Sequence, residues 1–256
     1  MEILTAWATW LLHWTLVADT ALLRWANAWV ARSPKAFYRA LEISHRAPWV
    51  LAAVALVWMW FWGDEGVVPV RHRLTRLESR RRVLTVIISL VGGFFGARAL
   101  QAIIPRLRPV AVAPLQVPIP PHVWDQVRAS LELQGAFPSD HAVLLFVIAG
   151  GLYTVCRRLG WFAGLAAVYF SILRVGLGFH WPTDMVGGAL VGWGALALVI
   201  FVERHVSRLW DWVILLFYRY PRVLYPLGFV FLFDLSQKFS ALFGLISWVL
   251  GHEVSH

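Results

Sequence analysis

The 256-residue sequence contains a single cysteine, Cys156, so no disulfide can form within the chain. Charged residues are also scarce, because they make up 14% of the sequence, whereas about a quarter is usual for a soluble domain. Hydrophobic residues, by contrast, reach 59%. This balance excludes a disordered chain and argues against a water-soluble globule. The sequence therefore predicts a membrane protein, and its 16 tryptophans and 16 phenylalanines suit the aromatic belts of bilayer interfaces.

Acidic residues are the scarcer of the two charged classes. The chain has 14 of them against 23 lysines and arginines, which gives a formal net charge of +9. On a soluble protein this excess would point to nucleic acid. Here the basic residues are scattered among the linkers between apolar segments, and no soluble module presents them together. We therefore expect no nucleic-acid partner and attribute the charge to cytoplasmic loops of a membrane protein.

Apolar segments that suit a bilayer recur along the chain. Crossing roughly 30 Å of hydrocarbon takes about 20 helical residues. The clearest candidate spans are 48–62, 83–104, 141–155, 161–177 and 184–202. Less regular apolar segments occupy 3–30, 210–217, 223–233 and 240–250. We therefore predict an all-α fold, a polytopic membrane bundle of about six transmembrane helices.

Three regions divide the chain in this interpretation. Residues 1–48 form an N-terminal apolar and amphipathic interfacial segment, in which 31–48 is a helix on the membrane surface. Residues 49–205 form the transmembrane core, and residues 206–256 add membrane-associated helices. Gly188 and Gly192 form a small-residue pair on the last core span, which predicts close helix packing within the monomer.

The distribution of lysine and arginine predicts the orientation. Basic clusters lie in the linkers 71–82, 156–160 and 203–208, which fall on one side of the membrane if the spans alternate. Such clusters are typical of cytoplasmic loops. The outer side then holds the proline-rich segment 105–137, for which we expect a long loop with a short helix near 123–133.

Polar side chains cluster in three segments that are predicted to reach the outer face. These segments contain Arg106 and Arg108; Ser139, Asp140 and His141; and Arg174, His180 and Asp184. Each segment lies at the end of a predicted span. Two histidines, several arginines, a serine and carboxylates therefore converge at one depth.

This set of side chains suits the chemistry of phosphate esters. Arg108 and Arg174 can bind phosphate oxygens in a bidentate geometry. Ser139 begins a helix, and helix N-termini favour anions. One histidine can attack phosphorus, a carboxylate can orient it, and a second histidine can protonate the leaving oxygen. No cluster of cysteines or carboxylates suggests a metal, so we expect neither a metal nor another cofactor, and the guanidinium groups supply the positive charge.

In their order and spacing the three segments resemble the signature of the type 2 phosphatidic acid phosphatases, which are related to the vanadium haloperoxidases. That signature reads Lys-x6-Arg-Pro, then Pro-Ser-Gly-His, then Ser-Arg-x5-His-x3-Asp. Its counterparts here are Gln101-x6-Arg108-Pro109, Pro138-Ser139-Asp140-His141 and Leu173-Arg174-x5-His180-x3-Asp184. The resemblance implies that His180 is the nucleophile, that Asp184 orients it and that His141 is the general acid. It also implies that the phosphoryl oxygens are held by Arg108, Arg174 and Ser139.

Three positions depart from the signature. Gln101 replaces the lysine, so the phosphate-binding role of that position falls to Gln101 itself or to a nearby arginine, Arg98 or Arg106. Leu173 replaces the serine. Asp140 replaces the glycine, and the resulting Phe-Pro-Ser-Asp-His segment is similar to that of the undecaprenyl-diphosphatases in this family. The candidate substrate-binding residues therefore include Gln101, Asp140, Arg106 and Arg98.

The resemblance implies an integral membrane phosphatase that acts on a lipid phosphate or diphosphate. The expected reaction is hydrolysis of undecaprenyl diphosphate to undecaprenyl phosphate and inorganic phosphate, for recycling of the lipid carrier. Phosphatidylglycerol phosphate, phosphatidic acid and lipid A phosphate are alternative substrates. A phosphotransferase to a lipid-linked acceptor and a non-catalytic lipid transporter are alternative functions. We expect a multi-pass protein of the bacterial inner (plasma) membrane, surrounded by membrane lipids, with its site on the periplasmic or outer face. The sequence does not determine the oligomeric state.

Overall fold

The computed structural model describes residues 2–62, 76–132 and 135–236, and these residues form ten α-helices and no β-strand. In chain order they are α1 (Glu2–Val30), α2 (Pro34–Phe61), α3 (Arg76–Ile103), α4 (Pro109–Val112), α5 (Pro121–Glu132), α6 (Asp140–Val155), α7 (Arg157–Gly176), α8 (Pro182–His205), α9 (Ser207–Arg219) and α10 (Pro221–Ser236). The all-α prediction is confirmed. The predicted apolar segment 240–250 lies outside the described residues.

Four helices within the described ranges are long and apolar enough to cross a membrane. They are Pro34–Phe61, Leu77–Ile103, Arg157–Gly176 and Pro182–His205. The helix α6 is apolar as well but has 16 residues. The chain is an all-helical membrane protein, and the count of about six spans stays a prediction.

The predicted division between a surface helix at 31–48 and a span that begins at residue 48 is wrong. The helix α2 begins after the N-cap Ser33, with Pro34 in its first turn, and continues through Pro48 to Phe61. Pro48 is buried within the helix. The N-terminal part of α2 packs against the loop helix α5, where the rings of Phe37 and Trp124 meet edge to face at 5.7 Å. This contact buries one side of the polar N-terminal part of the helix.

The helix α6 lies at the centre of the bundle and packs against α2, α3, α7 and α8. Its N-cap is Ser139, whose hydroxyl accepts a hydrogen bond from the amide of Ala142. The helix α8 begins with Pro182 in its first turn, and Asp184 accepts a hydrogen bond from the amide of Trp181 at 2.7 Å. Both helices therefore begin at the same end of the bundle, and polar side chains from the signature form their first turns.

Glycines let α8 approach α6 closely. A Cβ atom at Gly188 would collide with the carbonyl oxygen of Ser139 and would lie 2.7 Å from the Cβ of Ala142. A Cβ atom at Gly192 would lie 2.9 Å from the carbonyl oxygen of Val143. The predicted close packing of this glycine pair within the monomer is confirmed.

We expect Gly188→Ala to lower the midpoint of thermal unfolding in detergent, because overpacking a close contact costs about 1–3 kcal/mol. The matched control is Gly194→Ala on the same helix, where a Cβ atom would meet nothing within 4 Å. Alanine favours a helix over glycine by about 1 kcal/mol, so the control should leave the midpoint unchanged or raise it. Equal shifts in the two variants would contradict this account of the helix contact.

Candidate active site

The signature residues gather at one end of the bundle. Gln101 lies at the end of α3, His141 at the start of α6, Arg174 at the end of α7 and Asp184 at the start of α8. Arg108 lies in the connection between α3 and α4. The basic residues of the predicted cytoplasmic linkers, where the structure describes them, lie at the opposite ends of these helices. The fold therefore brings the three segments together on one face, as their positions at span ends predict.

His180 lies in the connection between α7 and α8, and its side chain is in the protein interior. Gly178 takes a positive φ of 74°, a conformation that favours glycine, and its carbonyl accepts a hydrogen bond from Val110 at 2.8 Å. This bond ties the connection to the loop that carries Arg108. His180 follows two residues later and is fully buried.

The hydrogen-bond partners of His180 determine its tautomer. The Nδ1 atom lies 3.0 Å from the carbonyl oxygen of Ala136, which can only accept a hydrogen bond. The Nε2 atom lies 3.2 Å from a terminal nitrogen of Arg108, which can only donate. The proton of the neutral ring is therefore on Nδ1, and the Nε2 lone pair faces the guanidinium of Arg108. This is the tautomer that a nucleophilic Nε2 requires.

The surroundings of His180 keep the ring neutral. Burial lowers its pKa from 6.5 to about 4, and the positive charges of Arg108 and Arg174 act in the same direction against the opposing effect of Asp184. Burial also lowers the pKa of the Arg108 guanidinium from its ordinary value. The imidazole is therefore unprotonated at neutral pH, and its lone pair is available for attack.

Two arginines supply positive charge at this end of the bundle. Arg108 is 2% exposed, and its guanidinium also donates to the carbonyl oxygens of Phe179 and Gly135. Arg174 is 4% exposed and lies over the ring of Phe179 at 5.3 Å. Its buried Nε–H has no hydrogen-bond acceptor among the described residues. A buried guanidinium with an unused donor is suited to bind an anion.

His141 has a carboxylate on one ring nitrogen and an indole on the other. Its Nδ1 lies 2.9 Å from Oδ1 of Asp140, and its Nε2 accepts a hydrogen bond from the indole Nε1–H of Trp49 at 3.3 Å. The indole N–H can only donate, so the neutral ring carries its proton on Nδ1. The Asp140 carboxylate therefore orients the His141 ring.

The three chain segments that form this site are also similar in sequence to a known family. Residues 82–208, about half of the chain, match the model described as the PAP2 superfamily. This part of the chain belongs to the PAP2 superfamily. The match covers all the signature residues, from Gln101 to Asp184.

Three curated relatives share part of this sequence. The chain is 28% identical over 197 residues to "Putative undecaprenyl-diphosphatase YbjG" of Escherichia coli (strain K12). This match covers 75% of this chain and 87% of that protein. The chain is 27% identical over 140 residues to an undecaprenyl-diphosphatase of Sulfolobus acidocaldarius, which covers 54% of this chain and 64% of the relative. It is 32% identical over 76 residues to the "Bacitracin transport permease protein BcrC" of Bacillus licheniformis. That last match spans 30% of this chain and only 37% of the relative's length.

A solved structure is similar as well, namely the transmembrane PAP2 type phosphatidylglycerolphosphate phosphatase from Bacillus subtilis. The identity is 21%, the TM-score is 0.48, and the match covers 75% of this chain and 87% of that chain.

The position of the PAP2 lysine is occupied by a side chain that supports the loop before α6. The Gln101 amide donates to the carbonyl oxygen of Pro138 at 2.8 Å. Arg98 donates to the Gln101 side chain at 3.3 Å and pairs with Asp140 at 3.4 Å. Gln101 and Arg98 thus connect α3 to the segment that carries Ser139, and the Ser139 amide in turn donates to the carbonyl oxygen of Asp184 at 3.0 Å.

Asp184 of the PAP2 signature lies beside His180 but takes its shortest contacts elsewhere. Its Oδ2 is 3.7 Å from His180 Nδ1, and its Oδ1 is 2.6 Å from a terminal nitrogen of Arg106. The other terminal nitrogen of Arg106 pairs with Asp19 of α1 at 2.6 Å. The structure therefore places Arg106 between two carboxylates.

Several residues around the PAP2 signature were not found from the sequence. Trp49 and Asp19 come from helices outside the signature, and the carbonyl groups of Ala136 and Gly135 come from the proline-rich loop. Asp19 is a charged residue inside an apolar segment, and that is the one signal for it in the sequence. A carbonyl acceptor leaves no pattern at all.

Groups of three or more histidine, cysteine or acidic side chains that would suit a metal ion do not occur in the parts of the chain that the structure describes. The expectation that the reaction needs no metal stays a prediction.

Proposed function

We propose that this chain is a membrane lipid phosphatase that hydrolyses the terminal phosphate of undecaprenyl diphosphate through a phospho-histidine on His180. The proposal rests on one observation. His180 is neutral and buried, its Nε2 lone pair is directed at Arg108, and a second buried guanidinium, that of Arg174, lies at the same end of the bundle. A nucleophile and two anion-binding groups thus lie at one end of a membrane bundle. Membership of the PAP2 superfamily supports the same chemistry.

The first step is attack by His180 Nε2 on the terminal phosphorus. A bond forms between nitrogen and phosphorus, and the bond from phosphorus to the bridging oxygen breaks. Arg108 turns its donors from Nε2 to the phosphoryl oxygens, where Arg174 adds its own, and both stabilise the charge of the transition state. Nδ1 keeps its proton and continues to donate it in a hydrogen bond to the carbonyl oxygen of Ala136, and Asp184 at 3.7 Å stabilises the positive charge that develops on the ring.

The leaving undecaprenyl phosphate takes its proton from His141, and the same histidine then activates the water that hydrolyses the phospho-histidine. For this role His141 must carry a second proton on Nε2. In the structure that nitrogen accepts a hydrogen bond from the indole of Trp49. Trp49 therefore moves away from Nε2 when the lipid phosphate binds. Asp140 holds Nδ1 throughout and stabilises the protonated ring.

Undecaprenyl diphosphate is the preferred substrate within this proposal for two reasons. The Phe-Pro-Ser-Asp-His segment, which contains Asp140, is similar to the corresponding segment of the undecaprenyl-diphosphatases in the family. Two of the relatives also carry that activity in their names. We place the site on the periplasmic or outer face of a bacterial plasma membrane, because the basic linkers lie at the opposite end of the bundle.

The test is phosphate release by the purified full-length chain from a panel of undecaprenyl diphosphate, phosphatidic acid, phosphatidylglycerol phosphate and lipid A. We expect release from undecaprenyl diphosphate to be fastest and to continue in EDTA. Release from no lipid would overturn the phosphatase proposal, and transfer only to a second added lipid would identify a phosphotransferase. A faster reaction with another lipid would change the substrate that we propose but would leave the proposed phosphatase reaction in place. Protein carrying His180→Ala, prepared in parallel, controls for a contaminating phosphatase.

A further inference from the structure

The N-terminal helix contributes to the site through an ion-pair network in which two buried carboxylates share Arg106. Arg106 donates to Asp184 and to Asp19, each at 2.6 Å, and to the hydroxyl of Thr183 at 2.7 Å. Asp19 also accepts hydrogen bonds from the amide and the hydroxyl of Thr183, at 2.9 and 2.6 Å. Asp19 is 1% exposed and Asp184 is fully buried. Every polar atom of the Asp19 carboxylate therefore faces the first turn of α8 or the arginine that contacts it.

The helix α1 is held in place beside this network by a second polar anchor. Asn27 donates to the carbonyl oxygens of Gly176 and Gln116 and accepts from the amide of Gln116 at 2.7 Å. A Cβ atom at Gly176 would lie 2.7 Å from the carbonyl oxygen of Ala26, so α1 and the end of α7 are in close contact. Asp19 thus projects from a helix that these contacts hold against the end of α7 and the proline-rich loop.

The charges in this network explain why a second carboxylate is needed. If Arg106 paired with Asp184 alone, its charge would cancel the negative charge beside His180. With Asp19 included, the two carboxylates and one guanidinium carry a net charge of −1. Because His180 becomes positively charged when its Nε2 attacks phosphorus, a net negative neighbour stabilises the transition state over the neutral ground state.

We propose that Asp19 and Arg106 are positioning residues that orient Asp184 and preserve its negative charge beside the nucleophile His180. This inference rests on the proposed function and assigns to α1 a part in the catalytic step. It gives Arg106 a role through Asp184 instead of a direct contact with phosphate. Arg106 and Asp19 pair with each other, with Asp184 and with Thr183, so phosphate binding by Arg108 and Arg174 should be largely independent of the pair.

The test measures kcat and KM for the full-length chain with the lipid that the wild type hydrolyses fastest. Asp19→Asn should lower kcat by about 10- to 100-fold, the usual range when a group that orients a catalytic residue is lost, with KM nearly unchanged. Asp211→Asn is the matched control, because it also removes one carboxylate from a pair with arginine, Arg81, at 2.6 Å. That pair lies at the other end of α3, about 30 Å along the helix, so kcat should equal that of the wild type.

The double variant Asp19→Asn/Arg106→Gln separates an effect on the net charge beside His180 from a purely structural role. It removes one negative and one positive charge together, so Asp184 keeps a net charge of −1, and kcat should rise above that of Asp19→Asn. A purely structural role, or a role through orientation alone, predicts that the double variant is at least as slow as Asp19→Asn, and this result would overturn the inference that the pair preserves the charge of Asp184. Wild-type kcat in Asp19→Asn would overturn it too.

A further variant keeps the test decisive if Asp19→Asn does not fold, as judged by its elution on gel filtration. Arg106→Lys retains the positive charge but cannot reach two carboxylates with the planar geometry of a guanidinium, so kcat should fall while KM stays nearly constant. An unchanged kcat would overturn the inference. If the wild type itself releases no phosphate from any lipid, the proposed function fails, which is a distinct result from an active wild type with unaffected variants.

Discussion

His180→Ala should reduce lipid phosphate hydrolysis by about 10⁴-fold or more and should leave no covalent phospho-enzyme. The variant loses the imidazole whose Nε2 lone pair is directed at Arg108. His141 does not substitute in the proposed mechanism, because its Nε2 carries the proton for the leaving group while Asp140 holds its Nδ1. The measurements are phosphate release at steady state and trapping of a phospho-enzyme from lipid labelled with ³²P at its terminal phosphate.

The matched control for this variant is His205→Ala. His205 lies in the last turn of α8, about 35 Å along the helix from the site, and its ring bonds to the carbonyl oxygen of Phe201 in the preceding turn, at 2.8 Å. Activity should remain at the wild-type level. If the His180→Ala protein instead accumulated label on His141, the roles of the two histidines would be reversed.

His141→Ala should slow the reaction by an amount that depends on the leaving group. General acid catalysis is typically worth about 10²–10⁴-fold, and a lipid alcohol needs the proton more than a lipid phosphate does. We therefore expect the larger loss with phosphatidic acid and the smaller loss with undecaprenyl diphosphate. His180→Ala, by contrast, should abolish hydrolysis of both substrates, because both require the nucleophile.

Asp140→Asn provides an internal check on this assignment. The carboxylate contacts His141 Nδ1 at 2.9 Å, so the amide should orient the general acid less well without removing it. The losses should therefore follow the same order of substrates as in His141→Ala, at smaller size. An equal loss on the two substrates in His141→Ala would show that the residue does not protonate the leaving group. The comparison uses initial rates at saturating lipid, with His205→Ala as the reference.

Local sequence patterns accounted for the helices and for the ends at which the signature lies. Apolar segments of bilayer length predicted α3, α7 and α8, and the polar residues before α6 and α8 predicted that helices begin at Ser139 and near Asp184. The same patterns misplaced the start of the second span at Pro48, because they predict the loop helix α5 but not its contact with Phe37 of α2. A proline also lowers helix propensity without excluding a helix that tertiary contacts support.

The sequence by itself determined the class of the protein and the residue types of its site. A chain so rich in apolar side chains has to satisfy its backbone groups within helices in a bilayer, and the spacing of the signature places its polar groups at helix ends on one side. The tertiary structure alone decided the partner of each charged group. Arg106 bridges Asp19 and Asp184, which lie 87 and 78 positions away, and Trp49 reaches His141 across 92 positions. Such pairings depend on which helix faces pack together, and separations of that size leave no periodicity or spacing in the sequence from which they could be predicted.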